Sequence, residues 1–598
     1  MEIKQKQRHE IAEEYKWKLE DLYATADDWR RECDLLEGKI EALQDFKGEL
    51  NSGQAIFDCL EADMALCELV ERAYMYANLK QSENTALAES QAMAEIAEGI
   101  YSDYEEASAF IAPEILQNSE EALRNFIKTT SGLGIYEHYI NNLLRQKPHT
   151  LSIEMEELLA SAGEMSQAAA NAFEFLNDAD LKYGTIIDED GNEVELTDGR
   201  AGTFLCSKDR RVRKDAYEKT MAAYAAHINT IASLRNSDIK KDIFFAKARN
   251  HKSTLDAALF DSNIPKEVYE NLISTVHEFL PVVHRYNALR KRVLGLDEYQ
   301  PYDSDVPLVD GIELKIPYDK AREMVAEALA PLGDEYLRIM CDGMNGGGWI
   351  DVYETEGKTS GGFQWSAPRN HPYILLNYAD NYEDMFTLAH ELGHAMHHHY
   401  ADSNQPLVYA DYTTFSAEIA STVNETIMIE YMLKKAEDKN TKIHILTEYI
   451  HQFTYTVFCQ VMFAEFEMLT HRMAEEGEPF TPESIGEVYL DLRNKYEGPA
   501  LEVHEYTAMG WSDVPHFFEA FYVYQYATGY AAAIAFAKRI KSGDPQMLAD
   551  YLDFLKAGSS GYTIDILKKA GVDMSSPAPI REALEVFENL VAELESLI

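Results

Sequence analysis

Two histidines four residues apart with a glutamate between them, His390-Glu391-Leu392-Gly393-His394, are the strongest chemical feature of this chain. On an α-helix, residues four apart share one face a turn from each other, so both imidazoles can reach one metal ion. Glu391 then points beside that ion. Zinc held by three protein ligands lowers the pKa of a bound water toward about 7, and a neighbouring carboxylate can take the proton as the water attacks a carbonyl. The chemistry expected is metal-assisted hydrolysis.

The flanking residues predict the helix that this spacing requires. Asn381-Tyr382-Glu383-Asp384 places an Asn to cap the first turn and two acids to complement the helix dipole. Met385, Phe386, Leu388, Ala389, Leu392, Ala395 and Met396 follow at helical intervals. A metzincin would continue with Gly at 397 and His at 400, but the chain has His397 and Tyr400, so that class is excluded. His397 could approach the metal. Three consecutive histidines, His397, His398 and His399, cannot all face it, and most are expected on a polar face or behind the ligands.

A third ligand is expected on a second helix, Phe415 to Glu425, where Glu418 and Glu425 stand seven apart on one face. One can bind zinc while the other braces a ligand histidine through its far ring nitrogen. Glu418 is assigned as ligand and Glu425 as brace. The segment is otherwise apolar and small, where an unpaired carboxylate would be costly.

At these residues the chain resembles the thimet-oligopeptidase-like family of zinc metallopeptidases, and within it the oligoendopeptidase F group. The resemblance rests on Glu356-Gly357-Lys358 before the Gly361-Gly362 turn, the His390 to His394 motif, the Phe415 to Glu425 helix, and a histidine-then-tyrosine segment from His516 to Tyr530. It implies zinc, one ion per chain, on His390, His394 and Glu418, with Glu391 as general base. It also implies that a histidine and tyrosines bind substrate and stabilise the oxyanion, and these look like His516, Tyr526 and Tyr530. Tyr522 and Tyr524 are near competitors. An enclosed cleft that admits only short unfolded peptides is a further implication of the family.

Ala520 to Ala537 runs eighteen residues without a charge, long enough for a membrane span. Its tyrosines fill the first half and middle, whereas a spanning helix carries polar aromatics at its ends. A buried helix beside a polar cleft is the better expectation. A phenol there could donate to the oxygen that becomes negative during attack; core tyrosines bonded to backbone are the alternative.

Composition limits the partners. With 54 basic and 103 acidic residues the formal charge is −49, which disfavours nucleic acid and anionic membrane surfaces and favours cationic peptides. Six cysteines are scattered without paired spacing, so neither a disulfide framework nor a cysteine metal site is expected. The charged start leads into a helical pattern rather than an apolar signal core, and a cytoplasmic protein is the simplest reading.

The fold expected is mainly α: a large helical zinc metallopeptidase with a small β-sheet next to the zinc-binding helix. Residues 1–115 read as an N-terminal helical region, including a helical run from Ala65 to Met93. Residues 116–201 read as helical with a β-hairpin at 183–197 around Asp190-Gly191-Asn192, and 202–598 as the catalytic domain. Short strands are expected at 349–353, 362–365 and 372–378. An extended peptide could pair with such an edge, and Gly361 and Gly362 would let its backbone approach, ordinary turn glycines being the alternative. Hydrolysis of internal bonds in short peptides is the function expected. Stepwise removal of dipeptides and peptide binding without catalysis are the other two readings.

Overall fold

The computed structural model describes residues 5–309, 312 and 314–598. It is 70% helical, with two small sheets among the described residues. Two compact units interleave along the chain: the first takes Met1–Lys147, Glu313–Tyr431 and Phe536–Val572, the second Pro148–Ile312, Met432–Ala535 and Asp573–Ile598. The helices that carry the candidate metal centre, the buried charge cluster, Tyr526 and Tyr530 are α1 (Ile228–Ala248), α2 (Asp334–Met344), α3 (Tyr382–Asn404), α4 (Thr414–Lys435), α5 (Gln460–Glu476) and α6 (Tyr524–Lys541). Five strands complete the set: β1 (Thr185–Ile187), β2 (Glu193–Glu195), β3 (Ile350–Asp351), β4 (Phe363–Trp365) and β5 (Tyr373–Leu375).

In the first unit, a helix over Gly53–Glu83 starts where the Ser52 hydroxyl accepts the N–H of Ala55. The run expected from Ala65 to Met93 is broken after Glu83, and a second helix begins at Ala88. Asn84 turns the chain out, its side chain accepting the N–H of Ala86. The core of this bundle, including Trp29, Ile56, Met75, Tyr76 and Tyr136, is continuous with Tyr373 and Leu375 of the sheet.

That sheet has the order β3-β5-β4, with β3 parallel and β4 antiparallel to β5. The backbone near the N-terminus backs β3, where Val352 N–H donates to Tyr15 and Lys18 N–H donates to Gly348. Lys358 locks the connection from beneath. Its fully buried ammonium meets Asp351 Oδ1 at 2.7 Å and the carbonyls of Tyr353 and Leu376 at 2.8 and 2.5 Å. Gly357 beside it has φ of +81°, and a Cβ there would meet the Asn84 side chain. No strand pairs with the outer edge of β4 among the described residues.

The second unit packs long helices around Tyr269, Leu272, Phe453, Phe466, Tyr489 and Phe517, all almost wholly buried. β1 and β2 form the antiparallel hairpin of this unit, with Ile186 opposite Val194. The charge-free stretch from Ala520 is not one helix, as expected from its composition. Pro515–Phe518 makes a short 3-10 turn, Phe521 adopts φ of 55°, and α6 begins only at Tyr524. Among the described residues, no helix is long and apolar enough to cross a membrane.

Candidate metal centre and its support

The motif helix α3 forms as its sequence dictates. Asn381 Oδ1 accepts the N–H of Asp384 at 2.7 Å, and Glu383 and Asp384 occupy the first turn. Met385, Leu388, Ala389, Leu392, Ala395 and Met396 are wholly buried and fix the orientation of the helix. His390 and His394 project together from it, their Nε2 atoms 3.1 Å apart.

On α4, Glu418 turns its carboxylate to the same point. Its Oε2 lies 3.4 Å from His390 Nε2 and 3.5 Å from His394 Nε2, and it accepts the Ser421 hydroxyl at 2.9 Å. For tetrahedral zinc with bonds of about 2.0–2.2 Å, adjacent ligand atoms stand about 3.3–3.6 Å apart. The two separations to Glu418 fall in this range and the one between the histidines just below it, so the three atoms offer the donor chemistry and nearly the spacing such an ion needs; they form the one cluster of this kind among the described residues.

Glu425 sits behind the histidines. Its Oε1 is 3.0 Å from His390 Nδ1, so the neutral form of the ring keeps its proton on Nδ1 and has its lone pair on Nε2. Burial works against charge on His390, but the Glu425 hydrogen bond and the charges of Glu425, Glu418 and Glu391 outweigh it and raise the imidazole to about 9. Glu418 moves the opposite way. Burial resists its ionisation, yet His394, His390 and Ser421 together hold it at about 2. Glu391 is buried, which raises its pKa, while the two histidines act to lower it.

Two supporting residues carried no signal in the sequence. Gly393 lies against α4, where a Cβ would come within 2.5 Å of Ser421 Cα and 2.6 Å of its nitrogen. Asn424, fully buried, donates to the Ala389 carbonyl at 3.0 Å and accepts the Tyr336 hydroxyl of α2 at 3.1 Å. Together they fix α4 against the turn that bears His390. His397 and His398 are buried rather than on a polar face: the His397 ring stacks on Tyr412 at 3.7 Å between centroids, and burial drives its pKa well down.

Gly361 and Gly362 lead directly into β4. Gly361 has φ of +81° with open space where a Cβ would be, and its carbonyl accepts from Asn377 at 2.8 Å. His516, Tyr526 and Tyr530 belong to the second unit. There the Tyr526 hydroxyl lies 3.4 Å from His516 Nε2, and Tyr522 stacks on His516. Tyr524 and Tyr530 are buried, with the Tyr530 hydroxyl donating to Gln452 Oε1 at 3.4 Å.

A largely helical chain that brings two histidines and a glutamate to one point, with a buried carboxyl on the same helix turn, has the architecture of a metallopeptidase. Comparison with known proteins gives the family. The model of peptidase family M3 matches residues 203–586, and that of oligopeptidase F matches 114–183. Oligopeptidase PepF of Bacillus subtilis is 42% identical over 99% of this chain and 88% of its own length. An oligoendopeptidase F homolog of Lactococcus lactis subsp. lactis is 35% identical over 99% of both chains. Among solved structures, oligoendopeptidase-F from Enterococcus faecium superposes with a TM-score of 0.73 at 35% identity, covering 96% of this chain and 99% of that one. A protein from Chlamydophila abortus superposes with a TM-score of 0.94 at 33% identity over the whole of both chains. The chain belongs to peptidase family M3 and is a metalloendopeptidase of the oligoendopeptidase F type.

Proposed function

We propose that this protein is a zinc-dependent oligoendopeptidase that hydrolyses internal bonds of short unfolded peptides, with His390, His394 and Glu418 holding the ion and Glu391 moving the proton. The observation that carries the reading is the convergence of His390 Nε2, His394 Nε2 and Glu418 Oε2, each within 3.5 Å of the other two. When bound, zinc would supply Lewis-acid activation of water and of the peptide carbonyl. Glu425 fixes the His390 ring and its tautomer.

Glu391 accepts a proton from the attacking water and delivers it to the departing amine nitrogen, one group serving as base and then acid. Its burial supports this, because a carboxyl raised above its ordinary pKa is the better base. The extended peptide pairs along the open edge of β4, entered over Gly361 and Gly362, so that main-chain hydrogen bonds hold substrates of varied sequence. His516, Tyr526 and Tyr530 are assigned to substrate and oxyanion hydrogen bonding on the family resemblance, supported by the contact between Tyr526 and His516.

Mass-spectrometric product mapping tests this reading. Peptides of graded length and one folded protein are incubated with enzyme, enzyme plus chelator, and chelated enzyme with zinc restored. Internal cleavage of short peptides alone, abolished by chelator and restored by zinc, is the expected result. Removal of dipeptides from one end, or chelator-resistant cleavage, would overturn it.

A further inference from the structure

Beneath the turn that follows His516 lies a group of charged side chains with almost no access to solvent. Arg235 on α1 is 2% exposed, and Asp238 on α1 and Glu467 on α5 are wholly buried. Most of the group is paired: Arg235 with Asp238 Oδ2 at 3.2 Å, Lys241 with Asp238 Oδ1 at 2.6 Å, and His471 Nε2 with Asp242 Oδ2 at 3.2 Å. Glu467 is not part of a well-formed ion pair. Its Oε1 is 4.0 Å from Arg235 NH2, and its Oε2 has no hydrogen-bond partner.

The well-formed bond of the Glu467 side chain goes to the backbone instead. Oε1 accepts the N–H of Phe521 at 3.1 Å, at the residue whose φ of 55° a bulky L side chain rarely adopts. The same buried group grips the other end of this turn. The Arg235 guanidinium lies over the Phe517 ring at 5.7 Å, and the His471 ring packs 4.5 Å from that of Phe521. Both ends of the 517–521 turn are therefore fixed from below, with His516 next to one and Tyr522 next to the other. A buried, half-satisfied carboxyl is unfavourable, and so is left-handed backbone at Phe521. Replacing such an imperfect buried ion pair as a whole by well-packed apolar side chains is often neutral or stabilising, so stability alone does not account for the pair. What the carboxyl adds is an acceptor aimed at Phe521 N–H.

We propose that Glu467, backed by Arg235, is a positioning residue that holds Phe521 in its left-handed conformation and thereby sets His516 against Tyr526. The inference rests on the reading of His516 and Tyr526 as substrate-binding groups. Burial pushes the Glu467 carboxyl up to about 8 against the opposing Arg235 charge, so glutamine copies its protonated form and keeps the acceptor oxygen.

The test is kcat and KM of the zinc-loaded enzyme on a short internally quenched peptide for Glu467→Ala, Glu467→Gln, His516→Ala and the Glu467→Ala/His516→Ala double variant. Glu467→Ala should lose about 10²-fold in kcat, the scale set by a displaced substrate-positioning group, with KM changed by less than about threefold. Glu467→Gln should restore most of that turnover. In the His516→Ala background the alanine should cost less than about threefold more, because the two changes act on one element. If Glu467→Ala does not fold, Glu467→Met keeps the volume, removes the acceptor and should show the same loss. Wild-type kcat in Glu467→Ala or Glu467→Met beside an impaired His516→Ala, or fully multiplicative losses in the double variant, would overturn the positioning role alone. Wild-type kcat in His516→Ala would overturn the reading of His516 and this inference with it.

Discussion

Gly393 and Ser421 are in backbone contact: a Cβ added at 393 would stand 2.5 Å from Ser421 Cα and 2.7 Å from the Ala420 carbonyl. The glycine of the motif is thus what lets α4 bring Glu418 and Glu425 up to the two histidines. Elsewhere in a helix, Gly→Ala would gain about 1 kcal/mol from propensity. Here the neighbours are main-chain atoms that cannot rotate away. Gly393→Ala should therefore destabilise the protein by roughly 2 kcal/mol net and reduce bound zinc, read by thermal denaturation and metal analysis. A stabilised variant with full zinc would refute the packing argument.

Glu425 touches His390 at 3.0 Å without belonging to the His390–His394–Glu418 triangle. Replacing it by Gln or Ala should weaken zinc binding by about 10–100-fold, measured by competition with a chromogenic chelator. An unchanged zinc affinity would remove the bracing role.

The motif helix and its partner were legible because their signals are local. The Asn381 cap, the apolar spacing from Met385 to Met396, and the seven-residue interval from Glu418 to Glu425 each lie within one helix, and each is found in place. Gly393 and Asn424 were not legible, since their roles exist only once α3 and α4 are packed. The turn before Tyr524 reads as helix from the sequence because its composition is apolar and uncharged. Its left-handed residue is matched by an acceptor 54 positions away on Glu467, beyond any local pattern. The stacking partner of the buried His397, Tyr412, likewise lies outside α3 and beyond a pattern local to that helix.

Tyr526 and Tyr530 differ in surroundings. The Tyr526 hydroxyl faces His516, while Tyr530 is 5% exposed with its ring 5.0 Å from that of Phe453. Tyr526→Phe should lower kcat by about 10²-fold with a smaller change in KM, and Tyr530→Phe should lower it by a smaller factor. Unchanged kcat in both variants would return the two phenols to a packing role.

Glu465 in the second unit gives a test by pH. Burial resists its ionisation, but His277 at 2.7 Å, Lys495 at 2.9 Å and Tyr496 at 2.8 Å hold it at about 2, below its ordinary 4.5. A depressed folded-state pKa gives stability that is present above 4.5 and lost as the pH falls toward 2. Glu465→Gln should cost on the order of 3 kcal/mol at pH 7, with the deficit shrinking between pH 4.5 and 3 in urea denaturation. An equal deficit at pH 7 and pH 3 would show that the group contributes through packing alone.

The central claim divides two roles among neighbouring carboxyls, with Glu418 holding the ion and Glu391 moving the proton. Zinc stoichiometry and peptide turnover, measured on the same preparations of Glu391→Gln and Glu418→Ala, test it most directly. Glu391→Gln should retain one zinc per chain and lose at least about 10²-fold in turnover, whereas Glu418→Ala should lose the zinc itself. Near-normal turnover in zinc-loaded Glu391→Gln, or full zinc in Glu418→Ala, would contradict the account.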